Sequence, residues 1–221
     1  MRRIAFALLT LALVATLAAC GGGSKAGPAS ELLHPEKLTA KAPQLFDVTF
    51  KTTKGDFTIT VHRTWAPIGA ARVYNLAKAH FFDGVKFFRV VPNFVVQFGI
   101  SPYPAVSTAW RSATIPDDIV TNHNVRGTVT FASAGKDTRT TQLFINLGNN
   151  SGLDSNGFAP IGSVTAGMDV IDKLYSGYGD APTPQQGDME TQGNAWLEQH
   201  YPKLDAIKTA RITDESNPAL P

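Results

Sequence analysis

Phe87-Phe88-Arg89-Val90-Val91-Pro92-Asn93-Phe94-Val95-Val96-Gln97-Phe98-Gly99 consists of two short apolar runs, split by Pro-Asn and stopped by a glycine. Lys86 to Val91 and Phe94 to Phe98 therefore read as two short strands. Thr128 to Ala132, Leu143 to Asn146 and Phe158 to Val164 have the same form. Upstream, Phe46, Val48 and Phe50 alternate with polar residues, and after Lys54-Gly55-Asp56 the alternation resumes at Phe57, Ile59 and Val61. That period of two predicts an antiparallel hairpin. Pro67 opens a segment with Val73, Leu76, Ala77, His80 and Phe81 at helical spacing, which Asp83-Gly84 is expected to close. Met168 to Leu174 fits a second helix and Ala206 to Ile212 a last strand. Many short strands with two helices predict a mainly β fold, a closed antiparallel β-barrel capped by two α-helices.

The N-terminus has a different character. Met1, Arg2 and Arg3 precede an uncharged apolar run from Ile4 to Ala19, a secretory signal too short to span a bilayer comfortably. It ends in Leu17-Ala18-Ala19-Cys20, which resembles the lipobox of bacterial lipoproteins, where the cysteine is acylated and becomes the first mature residue. The expected organisation is a signal peptide over 1–19, the acylated Cys20 and a flexible Gly-rich tether over 20–44, a domain over 45–213 and a tail over 214–221. The expected location is the bacterial cell envelope, lipid-anchored on the extracytoplasmic side, with the membrane as a partner. Cys20 is the one cysteine, so no intrachain disulfide can form. Loss of Arg2 and Arg3 with the signal leaves basic and acidic side chains equal in number. A neutral chain without a basic run argues against nucleic acid as a partner, and a monomer is expected.

The stretch from Phe87 to Gly99 resembles the cyclophilin signature, an aromatic-x-Arg, two aliphatics, Pro-x-Phe, two residues and Gln-x-Gly. Gly127 to Gly135 followed by Thr141-Gln142-Leu143-Phe144-Ile145 is similar to that family's second block. Leu153-Asp154, Gly157-Phe158-Ala159-Pro160-Ile161-Gly162 and Gly167 to Ile171 match the third. The blocks follow the family's order over about residues 46 to 212. The resemblance implies a peptidyl-prolyl cis/trans isomerase acting on proline-containing polypeptides without cofactor or metal. It implies Arg89 as the catalytic residue, with Phe94, Phe144 and Leu153 around the proline ring. Gln97 would orient Arg89 and the substrate carbonyl, Gln142 would line the groove, and the backbone at Ser133 would pair with the peptide. Phe158 is expected in the binding site too, where many members carry a histidine.

The chemistry suits those residue types. Rotation about an X-Pro bond breaks amide resonance over a barrier of about 20 kcal/mol and takes tens of seconds or more unaided. A guanidinium that donates to the prolyl nitrogen as it pyramidalises binds the twisted state better than the planar one. Raising about 0.01 turnovers per second to about 100 needs about 5.4 kcal/mol, whereas one charge-assisted hydrogen bond contributes about 1.5 to 3. An apolar, preorganised pocket must supply the rest.

Three departures from the family pattern bear on inhibitor affinity and sequence preference: Gly152 stands where many members carry a tryptophan, Phe158 where they carry a histidine, and Phe88 where a histidine precedes the arginine. Other chemistry is weakly represented. His34, His62, His80, His123 and His200 have no partner at helical ligand spacing, which argues against zinc. No phosphate-binding loop or nucleophile elbow is present, and no histidine is placed with Ser133 and Asp137 for a hydrolase triad. The interruption at 176–204 carries Gly177, Gly179, Pro182, Pro184, Gly187, Gly193 and Pro202 and reads as a functional segment or a surface flap. Within it Ala195 to His200 is expected to form a short helical turn anchored by Trp196. A catalytically weak proline-peptide-binding chaperone and a structural envelope lipoprotein remain as alternatives to the enzyme.

Overall fold

The structure is a computed structural model that describes residues 30–215. The signal peptide, Cys20 and the glycine-rich stretch after it lie outside the described residues. Strand β1 (Leu45–Thr52) pairs antiparallel with β2 (Asp56–His62), with Phe46 opposite Val61, Val48 opposite Ile59 and Phe50 opposite Phe57. All six of those side chains are buried, because alternate residues of a strand point to the same face. The remaining strands are β3 (Arg89–Val91), β4 (Val95–Phe98), β5 (Thr128–Phe131), β6 (Leu143–Asn146), β7 (Pro160–Ala166) and β8 (Ile207–Asp214). They form one antiparallel sheet in the order β3-β4-β6-β5-β7-β2-β1-β8. The sheet curls until its two edges meet. Gly84 N–H donates to Ile207 O at 2.9 Å, Ile207 N–H to Val85 O at 2.8 Å and Phe87 N–H to Asp205 O at 3.0 Å. Inside, Phe50 stacks on Phe57 at 4.8 Å between ring centroids, Phe82 and Phe98 meet Phe50 edge-on, and Phe87 packs edge-on against Phe98.

Helix α1 (Pro67–Lys78) begins at its proline. Its N-terminal N–H groups are satisfied from afar: the Asp118 carboxylate accepts from Ile68 N–H at 2.9 Å and Gly69 N–H at 2.8 Å. Buried Arg139 donates to the same carboxylate at 3.0 Å, so the charge at the helix start is paired. The helix ends earlier than Asp83-Gly84. His80 takes φ 59°, Phe81 N–H donates to Leu76 O, and His80 N–H to Ala77 O, which terminates the helix in a left-handed cap. Helix α2 (Pro104–Trp110) was not expected, α3 (Met168–Asp172) was, and α4 (Gln186–His200) is much longer than the predicted turn.

One reading of composition is corrected. Residues 30–44, assigned to the tether, pack on the domain. Leu32 and Ala42 are buried, Trp110 Nε1–H donates to Leu32 O at 2.9 Å, and Asn75 exchanges hydrogen bonds with Ala40 at 2.8 and 2.9 Å. A few apolar side chains with a ready docking site outweigh a polar composition. The 176–204 segment, for its part, has an apolar core of its own, in which Met189, Leu197 and Leu204 pack with Phe88 and Ile100 of the barrel. Trp196 lies at the margin of this cluster, against Tyr201. Gly193 kinks α4 at φ 67° and comes so close to the 102–104 turn that a Cβ would meet Pro102 O at 2.3 Å.

Candidate active site

The strand register builds the site. Arg89 stands opposite Gln97 across β3 and β4, and Gln97 opposite Phe144 across β4 and β6. The three therefore form one row across adjacent strands. Their neighbours Val90, Val96 and Ile145 form the next row and face the interior, all of them buried. Pleat alternation thus sends one row into the core and the other to the outer face of the barrel.

Arg89 is held from three sides. Its Cζ lies 5.2 Å from the centroid of the Phe94 ring, its Nη1 donates to Gln97 Oε1 at 3.2 Å, and its Nε donates to Asp180 Oδ1. Nη2 makes no hydrogen bond to the described residues. Gln97 Nε2 donates to Gln142 Oε1 at 2.9 Å, and Gln142 Nε2 to Gln186 Oε1 at 2.9 Å. A continuous chain of hydrogen bonds thus runs Asp180, Arg89, Gln97, Gln142, Gln186.

Beside this chain lies a cleft of about 240 Å³ lined by Arg89, Phe94, Gln97, Ser133, Phe144, Leu153 and Phe158, together with Val95, Ala132, Thr183 and Gln186. Phe144 and Phe158 meet edge to face at 5.8 Å. Every binding residue expected from the sequence lines it except Gln142, which reaches it through Gln97. Sequence reasoning missed Thr183, Gln186 and Asp180, which come from the 176–204 segment, and it missed Asn124.

Asn124 is fully buried and ties the turn that carries Leu153 and Phe158 to the barrel. Its Nδ2 donates to Asp154 Oδ1 at 2.7 Å and Phe158 O at 2.8 Å, and its Oδ1 accepts from Thr130 Oγ1 at 2.8 Å. Asp154 also accepts from Asn124 N–H at 2.9 Å and His123 Nδ1 at 2.8 Å. Burial pushes the Asp154 carboxyl up, but the His123 and Asn124 donors outweigh it and hold the group below the usual carboxylate range. Among the described residues no cluster of His, Cys, Asp and Glu could hold a metal ion.

A curled antiparallel sheet with a small cleft on its outer face, walled by Phe94, Phe144, Leu153 and Phe158 and edged by the Arg89 guanidinium, defines the class of protein: a curled β-barrel with an aromatic cleft beside a cationic group. The chain belongs to the cyclophilin-type peptidyl-prolyl cis-trans isomerase family, whose model matches residues 46–194. It is 35% identical over 133 residues to a peptidyl-prolyl cis-trans isomerase of Acinetobacter baylyi, covering 58% of this chain and 70% of the relative. Peptidyl-prolyl cis-trans isomerase A of Dickeya dadantii is 33% identical over 153 residues, covering 62% and 77%. The fold is also that of a crystallised cyclophilin-type isomerase of Cryptosporidium parvum, with a TM-score of 0.57 at 17% identity over 78% of this chain and 99% of that one. A second crystal structure of the Cryptosporidium parvum protein was obtained in the presence of the dipeptide Ala-Pro.

Proposed function

We propose that this isomerase accelerates X-Pro rotation in exported polypeptides, with Arg89 donating to the prolyl nitrogen as the imide twists. The observation that carries this reading is the fixation of Arg89 at the cleft edge by Phe94, Gln97 and Asp180, which leaves Nη2 without a partner among the described residues. A donor already oriented needs little reorganisation as the lone pair develops, and its contact exists only in the twisted state. Phe94, Phe144, Leu153 and Phe158 grip the proline ring and exclude water from it. Gln97 fixes Arg89 and meets the substrate carbonyl, Gln142 fixes Gln97, and the backbone at Ser133 pairs with the peptide. The Ala-Pro dipeptide used with the Cryptosporidium parvum protein supports a proline-containing ligand for this cleft.

The second part of the proposal is location. The Leu17-Ala18-Ala19-Cys20 sequence supports acylation at Cys20 and attachment to the extracytoplasmic face of a bacterial membrane. Turnover of an X-Pro peptide by Arg89→Ala tests the catalytic part. The expected loss is at least about tenfold, or about 1.4 kcal/mol in barrier.

A further inference from the structure

Both ends of the hydrogen-bond chain through the site lie in one segment, between α3 and β8. Asp180 accepts from Arg89 Nε, and Gln186 accepts from Gln142 at 2.9 Å. Between them Thr183 stands in the cleft wall beside Gln186. This segment does not depend on Asp180 for its attachment. Met189, Leu197 and Leu204 pack with Phe88 and Ile100 of the barrel, and Asn194 Nδ2 donates to Gly84 O at 2.8 Å.

The exposures of the pair are unequal: the Asp180 side chain is 60% exposed and that of Arg89 21%. An exposed carboxylate adds little to stability through an ion pair. Its consequence falls on the arginine instead. An arginine side chain has about 2 kcal/mol of rotamer entropy to lose, and its planar fork is useful only when both ends are fixed. Gln97 holds Nη1 and Asp180 holds Nε. With Nε released, the guanidinium can turn about its Nη1 contact and slide over the Phe94 ring.

We infer that Asp180 is a positioning residue for the isomerisation: it holds Nε of Arg89 so that Nη2 is presented to the prolyl nitrogen. The inference rests on Arg89 being the catalytic donor. It makes the 176–204 segment a working part of the active site.

The test compares Asp180→Asn, Asp180→Glu, Arg89→Ala and the double variant Arg89→Ala/Asp180→Asn in the whole protein, by two-dimensional exchange NMR on an X-Pro peptide. Asp180→Asn is expected to lower kcat about two- to fivefold, within what an ion pair of this exposure supports. Peptide affinity and thermal midpoint stay at wild-type values, and Asp180→Glu recovers much of the rate. In the Arg89→Ala background, replacing Asp180 changes nothing further. If Arg89→Ala is slow while Asp180→Asn turns over at or above the wild-type rate, the inference is overturned and the Arg89 mechanism stands. If Arg89→Ala is as fast as wild type, the mechanism fails and the inference with it.

Discussion

Replacing Asn124 with alanine probes how the cleft wall is built. The side chain is fully buried and uses its hydrogen-bonding capacity on four strategic groups: Asp154, Phe158, Thr130 and, at 3.2 Å, Asn146 Nδ2. Asn124→Ala takes the acceptor from Thr130 Oγ1 and the donor from Phe158 O, in surroundings where Thr130 is 1% exposed. Each buried polar group so stranded costs about 1 to 3 kcal/mol, so a loss of about 3 kcal/mol is expected for the pair. A domain of this size loses about 2 to 4 °C of Tm per kcal/mol, which gives a drop of about 6 to 12 °C. Thermal unfolding followed by circular dichroism measures it. Peptide affinity should fall as well, because Leu153 and Phe158 are carried by the turn that Asn124 holds. Asn124→Asp should be worse, since it sets a second carboxylate against Asp154. An Asn124→Ala protein with a Tm within about 2 °C of wild type and unchanged peptide affinity would refute this account of the wall.

Three further outcomes follow from the same structure and sequence. Asp154 has a lowered folded-state pKa, so its contribution to stability is complete above the unfolded value near 4 and vanishes as pH falls through the lower folded value; the Tm gap between wild type and Asp154→Asn should be wide at pH 7 and close on acidification below about pH 4, and a gap that does not change with pH contradicts it. Gly152 is exposed in the turn beside Leu153, with open space where a Cβ would stand. Cyclosporin, a cyclic peptide inhibitor that many cyclophilins bind, is expected to lose about 2 to 4 kcal/mol, or tens to hundreds of times in affinity, without the family's tryptophan there; inhibition titrations should find weak binding, partly restored in Gly152→Trp, and nanomolar inhibition of the wild type overturns this. Cys20→Ser should leave the domain folded and release it from membranes, and equal membrane retention of both proteins in detergent phase partitioning counts against acylation.

The row Arg89, Gln97, Phe144 shows what was legible from sequence. Its members come from three short strands that the apolar runs mark, and the family pattern, which periodicity cannot replace, singled them out as site residues. The hairpin of β1 and β2 was readable for a similar reason, since Phe46, Val48 and Phe50 match Phe57, Ile59 and Val61 across one tight turn. Helix α4 was not readable. Its buried side chains are mainly Met189 and Leu197, too sparse for a helical period, and Gly187 and Gly193 interrupt them. The partnership of Asp180 with Arg89 spans 91 residues and leaves no local trace. Asn124 looks like any loop asparagine until the fold surrounds it with four partners. Residues 30–44 look like linker because what buries Leu32 is Trp110 and its surroundings, which composition cannot indicate.

The central claim is that Arg89 accelerates bond rotation instead of merely holding a proline-containing chain. Exchange NMR on an Ala-Pro peptide with wild type and Arg89→Ala measures turnover and affinity in one sample. The account predicts that Arg89→Ala still binds the peptide through Phe94, Phe144 and Leu153, keeps its Tm, and turns over at least about tenfold more slowly. Isomerisation by Arg89→Ala at the wild-type rate would contradict it and leave a protein whose cleft binds proline without Arg89 contributing to catalysis.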